Sequence, residues 1–385
     1  MSADAAVPPG HRALTDRQRL AWLRLIRSEN VGPITFRELV NHTGSAETAL
    51  DALPELSRRG GKRRIRIHPL EEAEAEVEAL HRLGGHFRAL GEYGYPPLLR
   101  QVDGAPPLIA VRGADAPLAD PAAIAIVGAR NASLAGQKIA GEIAAHLSNA
   151  GYRVISGLAR GIDTAAHRAS LAGGTVAVLA GGVDILYPPQ NRQLLEDLLA
   201  AGGALVSEMP LGWKPRARDF PRRNRLISGI SLATVLIEAA RASGSLHTAR
   251  FAAEQNREVF VVPGSPLDPR SEGGNKLIRD GATLVGSGAD VIESLGPHHH
   301  GDPFLPIDIE EPSRDAPRQP LTVDDGTRAA LLSALGSTPV DVDEVIRFTG
   351  LDTRAVNVVL LELELAGRLE RHRGNTVSLI DSRYG

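Results

Sequence analysis

Between Trp213 and Arg225 the chain reads WKPRARDFPRRNR, where six basic side chains, Lys214, Arg216, Arg218, Arg222, Arg223 and Arg225, stand against one acid, Asp219. Such a run is a local trap for anions in a chain whose formal net charge is only −3. Phe220 lies within it, although aromatic residues make up just 4% of the sequence. Cationic grooves with aromatic platforms hold unpaired nucleic acid, each stacked base contributing roughly 1–3 kcal/mol. The other reading of Phe220 is a buried anchor for its own loop.

Three glycine-containing loops extend the pattern: GARNAS at 128–133, SGLARGID at 156–163 and AGGVDILYPP at 180–189. Gly128, Gly157, Gly161, Gly181 and Gly182 lack the Cβ atoms that would keep an anion from backbone amides, and helix N-termini beside them supply positive dipole ends. With Arg130 and Arg160 they predict a cationic, amide-lined trough. The dinucleotide fingerprint is not matched, because Arg130 stands where that motif needs a small residue. The Walker pattern is absent too, so neither a nicotinamide cofactor nor triphosphate hydrolysis is expected, and no cofactor is assigned.

Candidate catalytic groups are poorly organised. Ser156, Asp163 and His167 are near one another in sequence, but no G-x-S-x-G elbow surrounds the serine, and Asp163 reads as a helix cap. Glu238 ends a strand before Gly244-Ser245 without a partner carboxylate at a defined spacing. Zero cysteines exclude a thiol nucleophile, a disulfide scaffold and thiolate-held metal. His298–His300 read as part of a solvated linker, since no second ligand cluster accompanies them. The expectation is therefore a binding protein and not an enzyme.

The elements that must carry these loops are legible between Ala122 and Leu295. Nearly continuous apolar runs at 124–127, 152–155, 175–179, 204–206, 234–238, 259–262 and 282–285 read as strands covered on both faces. Helical segments at 136–149, 162–171, 190–200 and 246–255 separate them. That pattern is an α/β, Rossmann-like, doubly wound, mostly parallel sheet, with its ligand crevice beyond the carboxyl ends of the strands. Residues 1–85 read as a small helical domain in which Val31-Gly32-Pro33 forms a turn. The basic residues Arg58, Arg59, Lys62, Arg63, Arg64 and Arg66 that follow are expected to be neutralised by the acids of 71–78.

Residues 86–295 form the sheet domain, 296–320 a Pro- and Asp-rich linker, and 321–385 three helices and a hairpin around Gly374-Asn375, a winged helix. From Thr338 onward six arginines face eight acids, so a protein contact or regulatory role suits this module better than DNA binding. The longest charge-free stretch, Ala169–Val183, is 15 residues, short of the ~20 a membrane span needs. No membrane partner is expected, and the cytoplasm is the expected location.

Together IVGARNAS, SGLARGIDTAAH, AVLAGGVDILYPPQN, SEMPLG, FPRRNRLISGIS, EAARASGSLHTAR, REVFVVPGS and GGNKLIRDGA resemble, in order, the motifs of the DNA-processing protein A (DprA/Smf) family. The flanks resemble its SAM-like and winged-helix domains, so the likeness covers essentially the whole chain. It implies a homodimer, built through the Rossmann-like domain, that binds single-stranded DNA without sequence preference. It also implies loading of the RecA recombinase onto that DNA during natural transformation and recombination. By motif position, Arg130, Ser156, Gly157, Phe220, Arg222, Arg223, Asn224, Arg225, Gly244, Ser245 and Lys276 would line the DNA pocket. Gly128 and Arg160 join them from the loop reading. The alternative is a nucleotide-processing enzyme of the phosphoribohydrolase kind, whose P-G-G-x-G-T-x-x-E string is missing here.

Overall fold

All seven apolar runs appear as parallel strands in a computed structural model, which describes residues 13–62, 64–296, 323–372 and 374–380. Two further strands precede them: β1 (Gly85–Ala89) and β2 (Leu108–Gly113). The parallel strands are β3 (Ala123–Gly128), β4 (Arg153–Ser156), β5 (Val176–Val178), β6 (Ala204–Ser207), β7 (Ala233–Ile237), β8 (Glu258–Val261) and β9 (Thr283–Leu284). The sheet order is β1-β2-β6-β5-β4-β3-β7-β8-β9, with β1 antiparallel to β2 and β2 antiparallel to β6. The chain winds outward from β3 to β6 on one side and then restarts at β7 on the other. The strand order therefore reverses at β3, and the crevice of such a sheet opens there.

Alternation along each strand sends side chains to two cores. On β3, Ala123, Ala125 and Val127 join one buried cluster while Ile124 and Ile126 join the other. The first cluster is covered by α9 (Asp219–Ile230) and α10 (Ser245–Glu254). The second is covered by α6 (Leu134–Asn149), α7 (Ile162–Ala169) and α12 (Gly288–Leu295). The short α5 (Ala116–Ala119), α8 (Arg192–Ala200) and α11 (Glu272–Arg279) complete the layers. Helix α9 was not expected. The second half of the basic run is helical from Asp219, and its inward positions Arg223, Leu226, Ile227 and Ile230 follow the spacing of one helix face.

The remaining described residues make a second compact unit from two parts of the chain. Its first part holds α1 (Asp16–Arg27), α2 (Pro33–Thr43) and α3 (Ala46–Arg59); α4 (Leu70–Arg82) runs on toward β1. Pro33 opens α2 at a position whose N–H needs no partner. The second part is the winged helix: α13 (Asp325–Ala334), β10 (Val340–Asp341), α14 (Val342–Thr349), α15 (Thr353–Leu365), β11 (Leu369–His372) and β12 (Thr376–Leu379). Gly374 and Asn375 both take positive φ in the turn between β11 and β12, as tight hairpins require. Two modules drawn as separate from sequence thus pack as one.

The basic stretch that begins in the last turn of α3 finds partners other than those expected. Arg58 and Arg59 pair with Glu55, and Lys62 with Glu29 at 2.7 Å. Arg63 and the His298–His300 run lie outside the described residues. No described helix is long and apolar enough to cross a membrane.

Candidate nucleic-acid interface

The loops after β3, β4 and β5 meet α9 at the carboxyl edge of the sheet, around a pocket lined by Arg130, Arg160, Gly181, Tyr187, Pro188 and Phe220. Phe220 is half-buried at the start of α9, and the Arg130 guanidinium carbon lies 4.8 Å from its ring centroid. Tyr187, 50% exposed, meets the same ring edge-on, with centroids 5.6 Å apart. Arg130 and Arg160 are exposed, as are Lys214, Arg216 and Arg218 in the loop entering α9. That loop is pinned by the one acid in the basic run: Asp219 accepts from Trp213 Nε1 at 2.9 Å and from the Arg216 amide at 2.8 Å. Phe220 is thus neither fully buried nor free: it packs against Arg130 and Tyr187 and lines the pocket.

The expected amide cradle is contradicted in two of its three loops, where protein carboxylates already occupy amides. Asp163 accepts from the Gly157 amide at 3.1 Å and the Ala159 amide at 3.2 Å. Burial pushes its carboxyl up, while Arg223 opposes that shift. At the N-terminus of α6, Glu238 accepts from the Ser133 amide at 2.8 Å and from the Ser133 hydroxyl. A helix start that could take a phosphate is thereby filled by the chain's own anion. The glycines serve close packing: a Cβ on Gly128 would overlap the Ile237 carbonyl, and one on Gly157 would run into the Arg223 guanidinium.

Two expected phosphate ligands, Arg223 and Arg225, are likewise committed inside the protein, and a third, Arg222, is so only in part. Arg223 is buried on the core face of α9, donating to the Gly157 carbonyl at 2.8 Å, to the Val178 carbonyl and, at 3.1 Å, to Asn224 Oδ1. Burial lowers its guanidinium to about 10. Arg225 donates to the Gly104 carbonyl at 2.8 Å and pairs with Glu208, and Arg222 reaches the same carboxylate at 2.9 Å. Glu208 is 5% exposed and Arg225 16%, so that pair is an internal brace, whereas Arg222 keeps about half of its side chain in solvent.

Other residues from the sequence reading are also placed by packing. Asn224 is buried and donates to the Gly244 carbonyl at 3.2 Å. Ser245 is buried with its hydroxyl 2.7 Å from that of Ser243, while Gly244 is exposed. Ser156 is buried and donates to the Ile126 carbonyl at 2.6 Å. Lys276 sits on α11 and lines a different groove, beside Arg241, Leu246 and Leu277 near the β8–β9 edge. His167 is buried against Thr175, Nδ1 to Oγ1 2.8 Å, and burial lowers it to about 3. Ser156 and His167 therefore turn to separate partners and form no nucleophile–base pair.

Sequence reasoning missed Tyr187, whose signal was an aromatic residue in the third glycine loop. It also missed Glu208, an acid in SEMPLG just upstream of three arginines.

Comparison with known proteins matches residues 86–296 to the family model of DNA recombination-mediator protein A. Residues 16–79 match a DprA-like N-terminal HHH domain, and residues 314–375 a DprA winged helix domain. The chain is 35% identical to Protein Smf of Escherichia coli (strain K12) over 370 residues, 93% of this chain and 95% of that one. The X-ray structure of DNA processing protein A from Streptococcus pneumoniae is similar with a TM-score of 0.58 at 31% identity, covering 73% of this chain and 98% of that one. A structure of DNA processing protein A from Helicobacter pylori, described for its single-stranded DNA binding mode, matches with a TM-score of 0.50 at 26% identity, covering 54% and 95%.

Proposed function

We propose a single-stranded DNA-binding function for this chain, which belongs to the DNA recombination-mediator protein A family, the DprA/Smf proteins. The observation that carries the reading is the Arg130–Phe220–Tyr187 cluster, an exposed guanidinium and two aromatic rings at the strand-order reversal of the sheet. A flipped-out base can stack on such groups whatever its identity, because every base has a π-face. Phosphates are held by the exposed rim of Arg130, Arg160, Lys214, Arg216 and Arg218. Stacking on a π-face and charge pairing with the backbone do not depend on which base is present, which supports binding without sequence preference.

On this reading the protein coats and delivers strands and carries out no bond-making step. The filled helix start at α6, and the Gly157 and Ala159 amides taken by Asp163, argue against a nucleoside-phosphate site, so a phosphoribohydrolase activity is disfavoured. Loading of RecA, action in natural transformation and a cytoplasmic setting belong to the same proposal and rest on the family likeness. A homodimer through the sheet domain is supported by the outer strand β9, which pairs only with β8 among the described residues and leaves Leu284 55% exposed. Unpaired strand edges invite a second chain.

The test is a fluorescence-anisotropy titration with a labelled single strand and the matching duplex at several salt concentrations. Tighter binding of the single strand, weakening steadily with salt, is expected. Equal or preferred duplex binding, or release of free base from nucleoside monophosphates, would overturn the proposal.

A further inference from the structure

Helix α15 is apolar on more sides than its own domain needs. Val356, Val359, Leu360 and Leu363 belong to the winged-helix core, together with Leu331, Val345 and Val377. Val358, Leu361 and Leu365 are also buried, yet lie outside that core. Their spacing of three and four residues puts them on one further face. Thr353, Arg354 and Asn357 of its first turns stay exposed, but from Val358 on the helix is buried on two faces and packs on α2 and α3 of the same unit.

Polar contacts fix the docking. Thr35 Oγ1 donates to Glu364 at 2.8 Å, Asn30 Nδ2 to the Leu365 carbonyl at 3.0 Å, and Arg368 to the Gly60 carbonyl at 3.1 Å. Arg371 on β11 forks between Glu38 of α2 at 2.7 Å and Glu364 of α15 at 2.9 Å, with its side chain 13% exposed. Gly60 caps α3 at an ordinary φ of −68°, so no turn requires a glycine there. A Cβ at Gly60 would instead overlap the Glu362 carbonyl of α15, and the glycine is what lets the two backbones touch.

In helix-turn-helix modules the reading helix lies in the major groove. We propose that the winged helix of this chain is not a duplex-reading module: its third helix is the docking surface for the chain's own N-terminal helices. Its task is to hold the segments before and after the sheet domain in one unit. The chemistry of α15 agrees. Glu362 is fully buried and paired with Arg328 at 3.0 Å, and Glu364 is spent on Arg371 and Thr35. The proposal is independent of the single-stranded DNA reading, whose residues lie in the other unit.

Hydrogen exchange on the full-length chain tests it, with and without excess duplex oligonucleotide. Amides of α15 and α3 should be protected alike, and duplex should leave both unchanged. Gly60→Leu should speed exchange in α2, α3 and α15 together by at least about tenfold. Gly32→Ala, where an added Cβ meets nothing, should not. Should Gly60→Leu fail to fold, Arg371→Ala should give the same concerted loosening, and single-strand affinity should stay within about twofold. Duplex-induced change at α15, a tenfold loss of duplex binding in Arg354→Ala, or loosening of α15 without α2 and α3 would overturn the proposal.

Discussion

Arg130 lies over the face of Phe220, its guanidinium carbon 4.8 Å from the ring centroid, although 90 residues of sequence separate them. The stack holds a cation at the pocket mouth in a fixed plane and gives the half-buried ring one polar, solvent-facing lid. Cation–π pairs at exposed sites contribute about 0.5–1 kcal/mol, enough to bias the geometry but not to resist displacement by a base.

Replacing Phe220 by Ala should therefore weaken single-strand binding by about 1–3 kcal/mol, and Tyr187→Ala should do so by a similar amount if each ring takes a base. Anisotropy titration of both variants and the double variant checks this. Because the rings touch, the two effects should fall short of additivity. Unchanged affinity in a folded Phe220→Ala protein would leave the ring as a loop anchor only.

Salt dependence should report the exposed cations alone. With Arg130, Arg160, Lys214, Arg216 and Arg218 each neutralising a phosphate, log affinity should fall against log salt with a slope of roughly −3.5 for a single strand. Arg160→Ala should reduce that slope by about 0.7. A titration series in which Arg160→Ala leaves the slope untouched would remove this residue from the interface.

Arg223 and Glu208 should instead behave as stability residues. Arg223→Lys cannot reproduce donation to two carbonyls and to Asn224, and should cost about 2–3 kcal/mol of unfolding free energy. Glu208→Ala leaves the largely buried Arg225 without its carboxylate and should cost about 3 kcal/mol. Urea denaturation measures both, and the salt slope of Arg223→Gln, which removes the charge, should match that of the parent. A reduced slope with unchanged stability would return Arg223 to the DNA surface.

The cluster between α2 and the winged helix should make that unit's stability depend on pH. Burial pushes Glu38 up to about 7, reinforced by Glu364 and opposed by Arg371 and Arg37. As pH rises from about 4.5 to 7, the folded unit keeps a proton that the unfolded chain has released. Stability from this group is thus present at the acid end, falls through the window and levels above it. Half-buried His42 works in the opposite sense, because burial lowers its pKa, so the difference between parent and Glu38→Gln isolates the carboxyl. Denaturation followed through Trp22 in a Trp213→Phe background should show that difference vanish when both proteins are compared below about pH 4.5. A constant offset across the whole range would rule out titration of Glu38.

Much of the sheet was legible because fully covered strands must be apolar without interruption, as AIAIV in β3 is. Strands β1 and β2 were not: β1 alternates in burial, with His86 and Arg88 breaking its run, and in β2 the apolar Leu108–Val111 ends at Arg112 and Gly113. The glycine loops read from sequence as amides open to an anion, whereas at Gly128 and Gly157 they are crowded strand–helix junctions. Which atoms crowd them, Arg223 against Gly157 and Ile237 against Gly128, depended on neighbours remote in the chain.

The amino-acid order by itself determined the seven parallel strands, the family and the position of the basic run, since periodicity, glycine placement and local charge are properties of neighbouring residues. Tertiary structure alone decided which arginines remain available. Arg130 and Arg160 face water, while Arg223 and Arg225 turned inward with the apolar face of α9 and had to find carbonyls or Glu208. It also joined α15 to α2 and α3. A charge is written in the sequence, but its partner is set by which surfaces lose water together, and a desolvated charge must be compensated wherever packing leaves it.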